Sequence, residues 1–201
     1  GRGNFIDKKG MIWLTGSTRK LIRFDYAHLK TQIRPFKLHV KNISLNNEKL
    51  CWNNFLPSGK MDSLLLKTEM QIRFGKLISD IALQKMTDQF QDIRFDSIVP
   101  FEYIPNKLVL PYSVNTIGFD FAAIDPYFSK FTRYQYMLEG SGKKWSPLSK
   151  NATANFANLH EGNYRFKIKA LNPYGIWSET SYSFRVLPPW YRTWWAYTLY
   201  V

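Results

Sequence analysis

The residue types that most often carry chemistry are few in this 201-residue chain and stand far apart. The histidines His28, His39 and His160 do not fall into a metal-ligand spacing such as H-x-x-x-H. Cys51 is the single cysteine and no motif surrounds it, so a partly buried, inert thiol is expected. No glycine-rich phosphate loop follows a strand and opens a helix. We therefore predict that the chain is not an enzyme and holds neither a metal nor a cofactor.

Aromatic side chains make up 17 % of the residues and favour a binding function rather than a catalytic one. An exposed tryptophan can serve as a platform for a sugar ring, and Trp52, Trp145 and Trp177 are candidates for that role. Such platforms would make the chain a carbohydrate-binding or adhesion module. For Trp145 and Trp177 the alternative is packing in the core or anchoring of a loop.

The formal charge of +13 raises the question of nucleic-acid binding. The positive charge is scattered, however, and its densest places are Lys8-Lys9, Lys143-Lys144 and the alternating series Arg165, Lys167, Lys169. No run of five basic residues exists to follow a phosphate backbone. We therefore predict no nucleic-acid partner.

Alternation of apolar and polar residues predicts β-strands along most of the chain. Turn signals separate the predicted strands, which are Met11–Leu14, Leu21–Phe24, Phe36–Leu45, Ile117–Ala123, Tyr134–Leu138, Tyr164–Ala170 and Tyr182–Val186. Several short strands at this spacing indicate an all-β antiparallel sandwich.

Residues 46–95 do not follow the β pattern and form an insertion or an extra element. Thr68–Phe74 could be a strand. Leu77–Gln91 has apolar residues at three- and four-residue spacings, so this stretch could form a helix, and Ser79 or Asp80 could cap a shorter version of it.

One constellation of residues is specific enough to suggest a family. It joins "YQYMLEG", a following tryptophan, "GNYRF" and "ALNPYGIWS", and its marker residues are Tyr134, Tyr136, Trp145, Tyr164, Asn172, Gly175 and Trp177. The set resembles the triple-tyrosine (Y_Y_Y) domain, the fibronectin III/Ig-like sandwich next to the membrane in bacterial sensors with periplasmic propellers. The residues agree with this physically, because Tyr164 suits a tyrosine corner and Gly175 suits a turn with positive φ.

The first residues resemble a second, associated motif. "FIDKKGMIWLTG" is similar to the two-component-regulator propeller repeat, so residues 1–35 are expected to be a partial propeller blade. A lone blade cannot close a propeller, because each repeat buries its faces on its neighbours. The predicted organisation is therefore a partial blade at 1–35, the Y_Y_Y sandwich at 36–187 and an aromatic juxtamembrane segment at 188–201.

The last segment, "PPWYRTWWAYTLYV", is predicted to couple the sandwich to a membrane. Pro188 and Pro189 stop the last strand and impose a stiff, extended geometry. The residues expected at the level of the lipid headgroups are Trp190, Arg192, Trp194 and Trp195. Residues 190–201 would span only ~18 Å as a helix, which is less than the ~30 Å of bilayer hydrocarbon. The alternative is that these rings pack back on the sandwich.

The resemblance implies a function for the chain. It would be a non-catalytic signal-relay domain of a hybrid two-component histidine kinase, on the periplasmic face of the bacterial inner membrane. The implied partners are a second copy of the chain in a homodimer and, through a following transmembrane helix, the inner membrane. The signal implied for the parent protein is an oligosaccharide bound outside this chain.

Overall fold

The computed structural model describes residues 4–15, 21–25, 36–57, 62–124, 129–189 and 191. The chain folds as two compact units, Gly1–Pro35 and Phe36–Val201. Strands are the dominant secondary structure of the described residues and form mainly antiparallel sheets, so the predicted all-β class is confirmed.

The first unit contains a three-stranded antiparallel meander. Its strands β1 (Asn4–Ile6), β2 (Met11–Thr15) and β3 (Leu21–Asp25) pair in chain order. The two predicted strands correspond to β2 and β3, whereas the first strand was not predicted.

The turn between β1 and β2 depends on Asp7. Its carboxylate accepts hydrogen bonds from the amides of Lys9 (2.8 Å) and Met11 (3.0 Å) and from the indole of Trp13 (3.2 Å). The bond from Met11 and then that from Trp13 lower the pKa of Asp7 below its usual value. These contacts explain the Asp-x-x-Gly-x-Ile-Trp pattern, since one carboxylate accepts hydrogen bonds from the backbone amides of the turn and also orients the tryptophan.

The second unit is a sandwich of two four-stranded sheets. Its strands are β4 (Lys37–Leu45), β5 (Glu48–Lys49), β8 (Leu108–Leu110), β9 (Ile117–Ile124), β10 (Arg133–Glu139), β11 (Thr153–Phe156), β12 (Gly162–Leu171) and β13 (Trp177–Val186). One sheet has the order β10-β12-β13-β8 and the other has the order β11-β9-β4-β5. A separate hairpin of β6 (Ser97–Val99) and β7 (Ile104–Asn106) precedes β8.

The core between the sheets is filled by aromatic rings, as the strand alternation requires. Phe119 of β9 stacks on Phe166 of β12 with ring centroids 4.1 Å apart, so the two sheets meet there. Phe121, Phe156 and Phe184 extend this cluster around them.

One pairing departs from the antiparallel pattern. β8 lies parallel to β13, with Phe184 beside Leu108 and Val186 beside Leu110. Because β12 flanks β13 on its other side over ten residue pairs, β13 is held on both edges.

The segment 46–95 is largely helical. It forms a short 3₁₀ turn (Trp52–Phe55) and the helices α1 (Ser63–Phe74) and α2 (Asp80–Gln89). The strand predicted at Thr68–Phe74 is therefore wrong, because these residues form the second half of α1. The helical alternative for Leu77–Gln91 is present in its shorter version as α2, and the Ser79 hydroxyl caps it by accepting from the amide of Ala82.

Candidate functional site

The three marker tyrosines all enter the sandwich, each with a different task. Tyr134 points inward from β10, and its hydroxyl accepts a hydrogen bond from the amide of Ala123 on β9 at 3.2 Å. Its ring meets Phe121 edge-on at 5.3 Å. Since β10 and β9 belong to opposite sheets, Tyr134 ties the two layers together.

Tyr164 forms the predicted tyrosine corner. Its hydroxyl donates to the backbone carbonyl of His160 at 2.8 Å, and its ring stacks on Phe184 at 5.3 Å. Desolvation and the charge of Glu161 raise the pKa of Tyr164 above its usual value. The corner therefore fixes the chain at the point where β12 begins.

Tyr136 contributes to the sandwich through the packing of its ring. The half-buried ring lies 6.0 Å from Phe156 and 6.2 Å from both Phe121 and Phe166. A fourth tyrosine, Tyr182, was not singled out from the sequence although it lies in the same cluster. Its hydroxyl donates to the carbonyl of Pro105 at 2.7 Å and so holds β7 against the sheet.

The turn between β12 and β13 is built as its residues predict. The buried Asn172 side chain accepts from the amides of Tyr174 and Ile176, both at 3.0 Å. Gly175 has a φ of +78°, the left-handed conformation that glycine adopts without strain. This turn starts β13 and places Trp177 at its first position.

The structure places the three candidate sugar platforms in different surroundings. Trp52 has no exposed surface and meets Phe95 edge-on at 5.9 Å, so its assignment as a binding platform is wrong. Sequence alternation could not show this, because Trp52 lies in the irregular segment before α1. Trp145 and Trp177 instead line one groove on the outer face of the β10-β12-β13 sheet.

The C-terminal exit starts from β13, a strand that is paired on both edges. The amide of Leu187 donates to the carbonyl of Leu110 at 2.9 Å, which continues the β8–β13 pairing past the end of β13. Pro188 is exposed and Pro189 is buried. The predicted interfacial residues Trp190, Arg192, Trp194 and Trp195 lie outside the described residues.

Side chains of the types that take part in catalysis have structural partners here. His39 lies 2.6 Å from Glu102, and Asp120 accepts from the amide side chain of Asn42 at 3.1 Å. Burial raises the pKa of Cys51 to about 12, and the charge of Glu69 adds to this shift. No group of three or more histidine, cysteine or acidic side chains within the described ranges is placed to hold a metal ion.

A buried charge network, which the sequence did not reveal, joins the helices to the sandwich. Glu69 of α1 is completely buried and accepts from the amides of Trp52 (2.8 Å) and Asn53 (2.9 Å) and from Arg73 (2.7 Å). Arg73 in turn donates to Asn42 on β4 and to the carbonyl of Tyr103. The i,i+4 spacing of Glu69 and Arg73 was visible, but their burial was not.

The comparison with protein families decides the identity of the tyrosine-marked part. The family model described as "Y_Y_Y domain" matches residues 128–187. Residues 128–187 are a Y_Y_Y domain. The match contains all three marker tyrosines and the Asn172 turn, together with β10 to β13, so the resemblance seen in the sequence is confirmed for this part of the chain.

Similarity to known proteins extends beyond the Y_Y_Y domain of this chain. The chain is 26 % identical over 162 residues to "Histidine kinase P4" of Formosa agariphila, which is 79 % of this chain and 10 % of that protein. Two solved extracellular domains from B. thetaiotaomicron, BT4673 and BT3049, are described as belonging to hybrid two component systems. They are 19 % and 18 % identical, with TM-scores of 0.49 and 0.48, and the alignments cover 93 % and 92 % of this chain but 20 % and 19 % of theirs.

The chain thus spans about a tenth of the curated relative and a fifth of the solved chains. Within the described ranges, no helix combines the length and the apolar composition that crossing a bilayer requires.

Proposed function

We propose that the chain is a non-catalytic relay in the extracellular, periplasmic part of a two-component sensor kinase. It would connect a ligand-sensing propeller to a transmembrane helix and a cytoplasmic kinase. The Y_Y_Y match at 128–187 and the similarity to a histidine kinase support a sensor role. In this proposal residues 1–35 are the last strands of the propeller.

The observation that carries the relay role is the way the chain leaves the sandwich. β13 pairs with β12 over ten residues and with β8 over three, and the Leu187 amide adds one more bond to Leu110. A force applied to the following segment would therefore act on a strand that is paired on both edges.

The two prolines make this connection short and stiff. Proline fixes φ near −65° and favours extended backbone, so Pro188-Pro189 adds little rotational freedom after Leu187. A change in the position of the sandwich would consequently displace the next segment rather than be absorbed by a flexible linker.

The mechanism requires two copies of the chain. In a homodimer, ligand binding would change how the two sandwiches are arranged, and the Pro188-Pro189 connection would pass that rigid-body change to the membrane. The proposed signal is an oligosaccharide bound outside this chain.

Membrane association of the C-terminal segment can be tested with vesicles. We expect residues 1–201 to float with vesicles of phosphatidylethanolamine and phosphatidylglycerol, because tryptophan rings favour the headgroup region. A variant with serine at Trp190, Trp194 and Trp195 should stay in the soluble fraction. Trp177→Ser, which removes an exposed tryptophan from the sandwich, is the matched control and should float like the unmodified chain. Equal flotation of the triple variant, or none by the unmodified chain, would argue against a membrane-proximal position.

A further inference from the structure

We propose that the groove beside Trp145 and Trp177 is a binding site for a short segment of a neutral oligosaccharide. The groove is open, has a volume of about 400 Å³ and lies on the outer face of the β10-β12-β13 sheet. Its lining residues are Gln135, Trp145, Lys169, Trp177, Ser178 and Glu179. This site is separate from the relay role and does not depend on it.

Strand register brings the polar residues of the groove into one row. Gln135 of β10 lies opposite Lys169 of β12, which lies opposite Glu179 of β13. Their strand neighbours Tyr134 and Ile168 point into the core, so this row faces away from it. Three side chains of different chemistry therefore stand side by side across the sheet.

The two tryptophans provide the apolar walls. The Lys169 ammonium lies 4.5 Å from the centroid of the Trp145 ring, and this cation–π contact orients the indole over the sheet. Trp177 begins β13 and is 48 % exposed. Indole rings present a large rigid surface at small entropic cost, which suits the C–H face of a pyranose ring.

The polar rim matches hydroxyl groups, which both donate and accept hydrogen bonds. The Lys169 ammonium only donates, the Glu179 carboxylate only accepts, and the Gln135 amide does both. Lys169 and Glu179 are 3.5 Å apart, longer than an ordinary hydrogen bond, so each keeps capacity for a ligand. Because their charges cancel, the rim favours an uncharged ligand.

An extended peptide fits this place less well. Peptides commonly bind by adding a strand to a free sheet edge. The edge of β10 next to the groove is already covered, since the amides of Ser146 and Ser149 donate to the carbonyls of Tyr136 (2.8 Å) and Tyr134 (3.0 Å). A peptide in this groove would contact side chains only and could not pair its backbone with the sheet. A sugar can bind through side-chain contacts alone.

The volume lies at the lower end of the range of small-molecule sites, ~300–1,000 Å³. An open site of this size holds a short segment of a chain and binds weakly, with a dissociation constant on the order of 1 mM. Binding of this strength would become effective through repetition, when two copies of the domain hold one polysaccharide.

The experiment is an NMR titration of the ¹⁵N-labelled chain, residues 1–201, with cellohexaose, laminarihexaose and a hexamer of galacturonic acid. We expect a neutral hexamer to shift the indole N–H resonances of Trp145 and Trp177. Trp177→Ala should weaken binding by about tenfold or more, as expected for a central aromatic contact. Glu179→Gln keeps the shape of the groove and should weaken binding by a smaller factor than Trp177→Ala does.

The control is Phe101→Ala, which removes a 94 % exposed ring from the β6–β7 turn and should leave the affinity unchanged. The proposal is overturned by any of three results. These are no shifts with either neutral hexamer up to about 10 mM, unchanged affinity in Trp177→Ala, or binding of the galacturonate hexamer alone.

Discussion

Gly140 shows at the scale of one residue why the Tyr-x-Tyr-x-Leu-Glu-Gly motif ends as it does. Its φ is +102°, a conformation that other residues rarely adopt. A Cβ atom at this position would lie 2.7 Å from the carbonyl oxygen of Asn163 and 2.8 Å from the ring of Tyr164. Only glycine lets the end of β10 approach the tyrosine corner so closely.

We therefore predict that Gly140→Ala lowers the free energy of unfolding by at least about 2 kcal/mol, through backbone strain and overpacking. Gly142→Ala is the matched control, because nothing lies within 4 Å of its added methyl group. It should change stability by less than about 0.5 kcal/mol. Urea unfolding followed by tryptophan fluorescence measures both. Equal stability of the two variants would show that the corner tolerates a side chain.

Single residues could be predicted from the sequence where their task is local. The Tyr164 corner and the positive φ of Gly175 follow from short-range patterns, and both are present. The burial of Trp52 and the cross-sheet bond of Tyr134 could not be predicted, since each depends on a segment distant in sequence. The groove beside Trp145 and Trp177 also joins residues that are distant in sequence. It could therefore be recognised only once the register of the strands was known.

At the scale of elements, a buried ion pair is one of the contacts that link the helical segment to the sandwich. Glu69 has no exposed surface, and it accepts from the 3₁₀ turn and from Arg73. Arg73 continues the connection to β4 through Asn42. Removing one partner would leave the other charge buried and uncompensated, which is far more costly than never having the pair.

We predict that Glu69→Ala costs about 3–5 kcal/mol of stability. Hydrogen exchange should rise first in α1 and α2, while β12 and β13 stay protected until global unfolding. The control is Thr68→Ala on the exposed face of α1, which should alter stability by less than about 0.5 kcal/mol. A loss below about 1 kcal/mol in Glu69→Ala would show that the pair is not what fixes the helices.

The strands of the sandwich were predictable because one face of each is buried, and burial imposes a period of two. α1 was missed because Met70, Ile72 and Phe74 also alternate, although only Met70 of these is fully buried. Its end signals were nevertheless present. Asp62 accepts from the amides of Leu64 and Leu65 at the start, and Gly75 ends the helix in the left-handed conformation.

At the scale of the whole molecule, the central claim is that the sandwich is mechanically connected to the segment after Leu187. The claim depends on β13, which is paired on both edges, and on the short passage from Leu187 into Pro188-Pro189. The Y_Y_Y match establishes the domain at 128–187, whereas the propeller, the homodimer and the oligosaccharide signal remain predictions.

The most direct test inserts Gly-Ser-Gly-Ser between Leu187 and Pro188 in the full-length sensor. Autophosphorylation would be measured in membrane vesicles, with and without an oligosaccharide mixture that activates the unmodified protein. The control carries the same insertion between Lys76 and Leu77, which are both exposed between α1 and α2 and lie outside the groove of Trp145 and Trp177. We predict that the first insertion abolishes the response to the mixture, because a flexible linker absorbs the displacement, and that the control keeps it. A full response with the insertion after Leu187 would contradict the relay role.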